Sequence, residues 1–197
     1  MPVRVFSVQE REALRVKMLD AGFALIKEYG MTHASVEKIT QAAGLGKSTF
    51  YRFFDCKERF VIEIMNYQRD RMRVYFDELL DGREKLSVSQ AKGYFRKIVF
   101  SADSIYPYLT DEDERKLVAY SKKIGWYVKH EDATKSTMDI LLSHMEGIRP
   151  DADYRLATNL IRVMAFAQIH QDELYKDVMA QTLDCLCTQL FACLFEE

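Results

Sequence analysis

Between Ser35 and Lys57 the chain is punctuated so closely that it has room only for two short helices set across a tight turn. Ser35 is a helix-capping residue, and behind it Val36, Ile39, Ala42 and Ala43 recur at helical spacing. Gly44-Leu45-Gly46 breaks that helix after about two turns. A second short helix then runs from about Lys47 to Phe53, and Asp55 or Cys56 ends the link to a long helix beginning near Lys57. This is helix-turn-helix grammar. The turn has to be tight for the two helices to cross and share one small core. Ala42, Ala43 and Gly44 let the backbones approach, and Leu45 plugs the space between them.

The rest of the chain repeats this helical punctuation over greater lengths. Only 8 Gly and 3 Pro occur in 197 residues, fewer turn formers than a strand-rich protein of this size uses. Ser7-Val8-Gln9-Glu10 is a capping box for a first helix that Gly30 stops. The long helix from Lys57 is closed by Asp81-Gly82. A fifth helix opens at the Ser87–Gln90 capping box and stops at Pro107, and a sixth opens at Thr110 and reaches about Lys129. Three more span about Thr134–Gly147, Asp151–His170 and Asp172–Phe195. The fold class predicted is all-α, with about nine helices: a helix-turn-helix domain over 1–56 and a helical body over 57–197.

Charge divides along the same line. Residues 1–60 hold 10 Lys/Arg against 7 Asp/Glu, and residues 61–197 hold 18 against 23. A basic head on an acidic body suits a polyanionic partner for the head. No apolar run reaches the roughly 18 residues of a membrane span, so neither a membrane partner nor export is expected. The four cysteines contain no C-x-x-C, and three sit in one apolar C-terminal stretch, as packing residues of a reducing compartment do.

The second short helix has two faces. Phe50, Phe53 and Phe54 are its apolar contacts, while Lys47, Ser48, Thr49, Tyr51 and Arg52 are polar or amphipathic. A recognition helix lays such residues into the major groove, where hydroxyls, Tyr and Arg meet base edges and phosphates. Ser35, with the N–H groups behind it, and Lys57 stand where phosphates could lie. A phosphate-binding P-loop is the competing reading of Gly44-Leu45-Gly46-Lys47-Ser48-Thr49. It needs Gly where Gln41 stands and a strand where the pattern is helical.

The run Ala43-Gly44-Leu45-Gly46-Lys47-Ser48-Thr49-Phe50-Tyr51-Arg52-Phe53-Phe54-Asp55-Cys56-Lys57-Glu58-Arg59-Phe60 resembles the recognition segment of TetR-family transcriptional regulators. Leu19–Leu25 and Ser35–Ile39 resemble the family's first and second helices, so the likeness covers about residues 14–65. Gly46 stands where Ser is usual, Ser48 where Gly is usual, and Cys56 replaces a common Ser. The resemblance implies a homodimeric bacterial DNA-binding protein, usually a repressor, acting in the cytoplasm on an operator that is palindromic. It also implies a C-terminal domain that binds a small-molecule effector, moves the fourth helix and respaces the two recognition helices.

Other features yield further expectations. Tyr67, Tyr94 and Trp126 are candidates for the wall of an effector cavity. Leu183, Leu186, Leu190, Phe191 and Leu194 form an apolar stripe on the last helix. With Leu160 and Met164 of the preceding helix they would make a four-helix dimer interface. No metal site is expected, because His33, His130, His144 and His170 make no i, i+4 pair with another His or with Cys. No cofactor is expected, and no G-x-S-x-G elbow marks a hydrolase, so the chain does not read as an enzyme. Two alternatives stand beside the ligand-released repressor. One is a DNA-binding regulator with no small-molecule signal, or one that senses oxidation through its cysteines. The other is a helical enzyme or nucleotide-binding protein.

Overall fold

Side-chain caps set most of the helix starts in the computed structural model, which describes residues 7–101, 104–125 and 130–196. Ser7 and Glu10 form the expected capping box at the head of α1 (Val8–His33), and Gly30, at φ 77°, breaks its helical geometry near the end. Ser35 caps α2 (Val36–Ala42), which is followed by α3 (Lys47–Phe50). The Cys56 thiol caps α4 (Lys57–Leu80), a rod of 24 residues that ends where Asp81 turns left-handed at φ 48°. Then come α5 (Val88–Phe100), behind the Ser87–Gln90 box, and a 3-10 turn at Tyr106–Tyr108. The last four helices are α6 (Asp111–Lys123), α7 (His130–Ser143), α8 (Tyr154–Ile169) and α9 (Met179–Leu194). Among the described residues there are nine α-helices and no strand beyond two isolated bridges. None of these helices is long and apolar enough to cross a membrane.

Several boundaries differ from the sequence reading. α5 stops at Phe100, ahead of Pro107, and α6 stops at Lys123, where Gly125 takes φ 70°. α8 begins at Tyr154, because Asp153 rather than Asp151 is its cap. The last helix was expected from about Asp172, but residues 171–178 make two separate 3-10 turns before α9. Leu174 is 46% and Tyr175 85% exposed, so no apolar anchor holds that stretch on the body.

Two cores are strung along α4. The first gathers Met18, Leu19 and Ile26 of α1, Ile39 of α2, Phe50 and Phe54, together with Phe60, Val61, Ile62 and Ile64 of α4. Ile105, Leu109 and Leu117 complete it from beyond residue 57. The second takes Phe76 of α4 with Leu86, Tyr94, Phe95, Met164, Leu183, Leu190, Phe191 and Leu194. The packing therefore changes hands partway along α4, and α6 leans on the head.

The apolar stripe on α9 faces inward. Met164, Leu183, Leu190, Phe191 and Leu194 are buried within the one chain, and Leu160 and Leu186 are partly buried against the same core. A stripe records that a partner helix exists; here α8 of the same chain supplies it. The apolar side chains that α8 leaves outside are Leu156, Val163 and Phe166, each about half exposed.

Candidate nucleic-acid interface

The geometry of the short-helix pair follows from three tight contacts. Leu45 N–H donates to the Thr40 carbonyl at 2.7 Å and Gly44 N–H to that of Gln41 at 3.0 Å, with Gly44 at φ 65°. That left-handed residue is why Gly stands there. Thr40, buried in the angle, returns its hydroxyl to the Val36 carbonyl at 2.9 Å. Below the turn, the rings of Phe50, Phe54 and Phe60 meet at 5.2, 5.2 and 4.9 Å between centroids. The tip of the Phe60 ring in turn abuts Gly22 of α1, where a Cβ would come within 2.3 Å of it.

This three-ring cluster fixes which side of α3 faces outward. Phe50 and Phe54 are buried, four residues apart, so Ser48, Tyr51 and Arg52 project to the opposite side and are exposed. Tyr51 keeps half its surface in solvent, with its ring edge-on to Phe50 at 5.4 Å. Arg52 is engaged by no ion pair among the described residues. Thr49 is half-buried. The helix is shorter than its sequence suggests: α-helical bonding covers Lys47–Phe50, and residues 51–54 continue as tight turns. Gly46 caps it without a side-chain bond.

Three of the predicted contact residues already have partners. Lys47 forms an ion pair with Glu37 across the angle between α2 and α3. The Lys47 ammonium holds the Glu37 carboxyl below its usual range, and Glu37 raises the Lys47 ammonium in return. Ser35 accepts the Lys38 N–H at 3.3 Å as the cap of α2. Lys57 donates to the carbonyl oxygens of Met31 at 2.8 Å and Thr32 at 3.3 Å, at the end of α1.

Side-chain ties flank this unit on both sides. Glu63 bridges Arg15 of α1 at 3.1 Å and Arg59 of α4 at 2.7 Å. Tyr120 of α6 donates its hydroxyl to the Asp55 carboxylate at 2.9 Å, directly behind α3. Burial first, then the bonds to Asp55 and Cys56, push that phenol well above its ordinary range. The Arg15–Glu63 and Asp55–Tyr120 pairs lie 48 and 65 residues apart in sequence, where no local pattern shows them.

The candidate cavity residues are scattered. Tyr94 is buried in the second core between Tyr75, Phe76 and Phe95. Tyr67 packs on the first core, with the Arg71 guanidinium 6.0 Å from its ring centre. Trp126 lies outside the described residues. Neither tyrosine lines the cleft that opens between α4 and α5. Among the described residues no group of three or more His, Cys, Asp or Glu could hold a metal ion. Burial raises the thiols of Cys56 and Cys187 above their usual range, leaving less of either as reactive thiolate.

Residues 18–64 match the family model of bacterial regulatory proteins, tetR family. No curated protein matches the chain. Among solved structures it is similar to native NalD, the secondary repressor of the MexAB-OprM multidrug efflux pump in Pseudomonas aeruginosa. That match has 17% identity over 95% of this chain and 99% of that one, with TM-score 0.54. It is also similar to a TetR-family transcriptional regulator from Haemophilus influenzae RD, with 12% identity over 95% and 100% of the two chains and TM-score 0.56. A structure described under the control of antibiotic production by bacterial hormones aligns at TM-score 0.63, with 16% identity over 97% and 100%. At these identities the structures speak for the fold alone. The chain thus carries a segment matching the tetR-family model over residues 18–64, within an all-helical fold similar along its whole length to that of solved TetR-family regulators.

Proposed function

We propose that the protein is a sequence-specific DNA-binding transcriptional regulator that works as a homodimer and most simply as a repressor released by a small molecule. One observation carries the DNA-binding part. The Phe50–Phe54–Phe60 cluster pins α3 by its apolar side and leaves Ser48, Tyr51 and Arg52 exposed together on the other. In this reading residues 1–56 read the duplex and 57–197 pair and sense. Arg52, Tyr51, Ser48 and Thr49 meet base edges and phosphates, Lys47 and Ser35 meet the flanking phosphates, and the site of action is the bacterial cytoplasm. Lys57, held on α1, acts through the placement of that helix more than through a phosphate.

A two-fold pair of chains would set its recognition helices about 34 Å apart, one turn of DNA, on a palindromic operator. Leu156, Val163 and Phe166 make the exposed apolar side of α8 the better candidate for a dimer contact than the inward stripe of α9. An effector in the body releases DNA if it binds the mis-spaced dimer more tightly than the DNA-competent one. The NalD likeness supports repression as the simplest sign of the output.

Gel-shift titration against the DNA upstream of its own gene, repeated across a salt series, tests this reading. Affinity should fall steeply as salt rises, and Arg52→Ala should weaken binding about tenfold or more with its melting temperature unchanged. Equal affinity for every DNA sequence tried, with no response to Arg52→Ala, would remove it.

A further inference from the structure

Between α4, α5 and the 3-10 turn at Tyr106–Tyr108 lies a half-open cleft of about 130 Å³. Met65, Met72 and Ile98 make its apolar walls. Gln68 also lines it, and the amide nitrogen of that side chain is buried with no acceptor among the described residues. A buried donor without a partner is uncommon, and it favours any group that brings an acceptor without a charge to desolvate. Two arginines also stand at the cleft. The Arg69 guanidinium is held by the Asn66 side chain, and that of Arg71 lies over the Tyr67 ring, 6.0 Å from its centre. Both partners belong to α4 and neither lines the cleft, so the two cations are engaged outside it.

Size and polarity together narrow the occupant. An apolar cavity of about 150 Å³ takes a benzene ring, so this cleft suits roughly six to eight heavy atoms. Thioether side chains such as Met65 and Met72 adapt to the outline of a ring. One orphan donor calls for one acceptor oxygen, whereas an ion would give up its hydration shell to reach the methionines and Ile98. We infer that this cleft binds a small neutral ring compound bearing a carbonyl oxygen, the ring against Met65, Met72 and Ile98 and the oxygen accepting from the Gln68 amide. The inference rests on the effector-released reading above and supplies the chemical class of the effector.

The cleft is also placed to report. Met65 belongs to the stretch of α4 that packs on the head core, and Met72 to the stretch that packs on the body. The 3-10 turn that closes the cleft joins the same two parts. There the Tyr108 ring meets Phe23 of α1 edge-on at 6.4 Å, and the Pro107 carbonyl accepts from Gln171 at 3.3 Å. An occupant therefore touches both elements that link head to body.

Cyclohexanone is the probe. Cyclohexylammonium, with donors only, and cyclohexanecarboxylate, with a negative charge, are controls on the same ring. Each is titrated into the full-length protein and read by thermal shift and by saturation-transfer NMR. Cyclohexanone at about 10 mM should raise the melting temperature by about 2 °C and each control by less than half of that. Gln68→Leu, which keeps the bulk and removes the donor, should weaken cyclohexanone about tenfold. Gln68→Glu puts an acceptor where the donor was and should turn the preference over to cyclohexylammonium. Ile98→Trp, which fills the cleft, should abolish the cyclohexanone signal; far-UV circular dichroism confirms that each variant is folded. No cyclohexanone signal, a control that binds the native protein as tightly as the ketone, or a ketone affinity untouched by Gln68→Leu would overturn the inference. A gel shift with cyclohexanone separates the two ideas. Binding that obeys the variants yet leaves operator affinity unchanged would keep the cleft's chemistry and sink the released-regulator reading.

Discussion

The Lys57 ammonium sits 2.8 Å from the Met31 carbonyl oxygen, so the first residue of α4 closes the last turn of α1. The last carbonyls of a helix carry partial negative charge and lack intrahelical donors, and a cation there answers both needs. Lys57→Gln should lower stability in a urea titration by about 1 kcal/mol. It should leave the salt dependence of DNA binding as it was. A phosphate ligand would behave in the opposite way, losing about one unit of salt slope with stability unchanged.

Gly22 is fixed by a ring. Its Cα faces Phe60, and a Cβ there would lie 2.3 Å from the nearest ring atom and 2.4 Å from the next. Neither α1 nor the ring can yield easily, because Phe60 is wedged against Phe50 and Phe54. Gly22→Ala should therefore cost about 2–3 kcal/mol by overpacking, although alanine is the better helix former. Adding Phe60→Leu should recover part of the loss. Additive costs in the double variant would show that the two do not share one space.

How much of this was legible beforehand depends on whether the signal was local. Capping residues, left-handed glycines and apolar spacing are written within four residues of one another. Ser7, Ser35, Ser87 and Thr110 thus marked their helix starts, and Gly44 its turn. The segment 171–178 misled, since its composition is helical and only its lack of a core partner divides it. The α9 stripe misled in a different way: burial was legible, but not whether the covering helix belonged to the same chain. Partners far apart in sequence, such as Tyr120 with Asp55, left no trace in any local pattern.

The pairing of Lys47 with Glu37 makes a prediction about DNA. Both side chains are more than half exposed, so the pair contributes little to stability. In the free protein, though, Glu37 occupies the cation that a phosphate would use. Glu37→Gln should raise operator affinity about three- to tenfold at low salt and steepen the salt dependence by about one counterion. Lys47→Gln should reduce affinity, and in its background Glu37→Gln should have a much smaller effect. Equal effects of Glu37→Gln with and without Lys47 would point to general repulsion of the phosphates.

Tyr120 and Asp55 tie α6 to the chain just after the recognition helix. The hydroxyl reaches both carboxylate oxygens, at 3.0 and 2.9 Å. Tyr120→Phe and Asp55→Asn should each cost about 1 kcal/mol, and the double variant should cost about the same as either alone. In gel shifts Tyr120→Phe should retain DNA binding while loosening its response to an effector, because α6 would no longer hold the end of α3. Summed costs in the double-mutant cycle would dispose of the pair.

Tyr94 supplies a pH test of the body. Burial in the second core, with the Asp77 carboxylate adding to it, pushes its phenol up to about 12 from an ordinary value of 10. The neutral phenol is the form the folded chain prefers. The group's contribution is therefore whole below pH 10 and is lost as pH rises from 10 through about 12, where the unfolded chain has already released the proton. Alkaline unfolding followed by circular dichroism should steepen over that interval. Tyr94→Phe has no proton to lose, so the fall should flatten in that variant even if its stability at neutral pH is slightly changed. An unaltered alkaline slope in Tyr94→Phe would place the pH sensitivity in some other tyrosine.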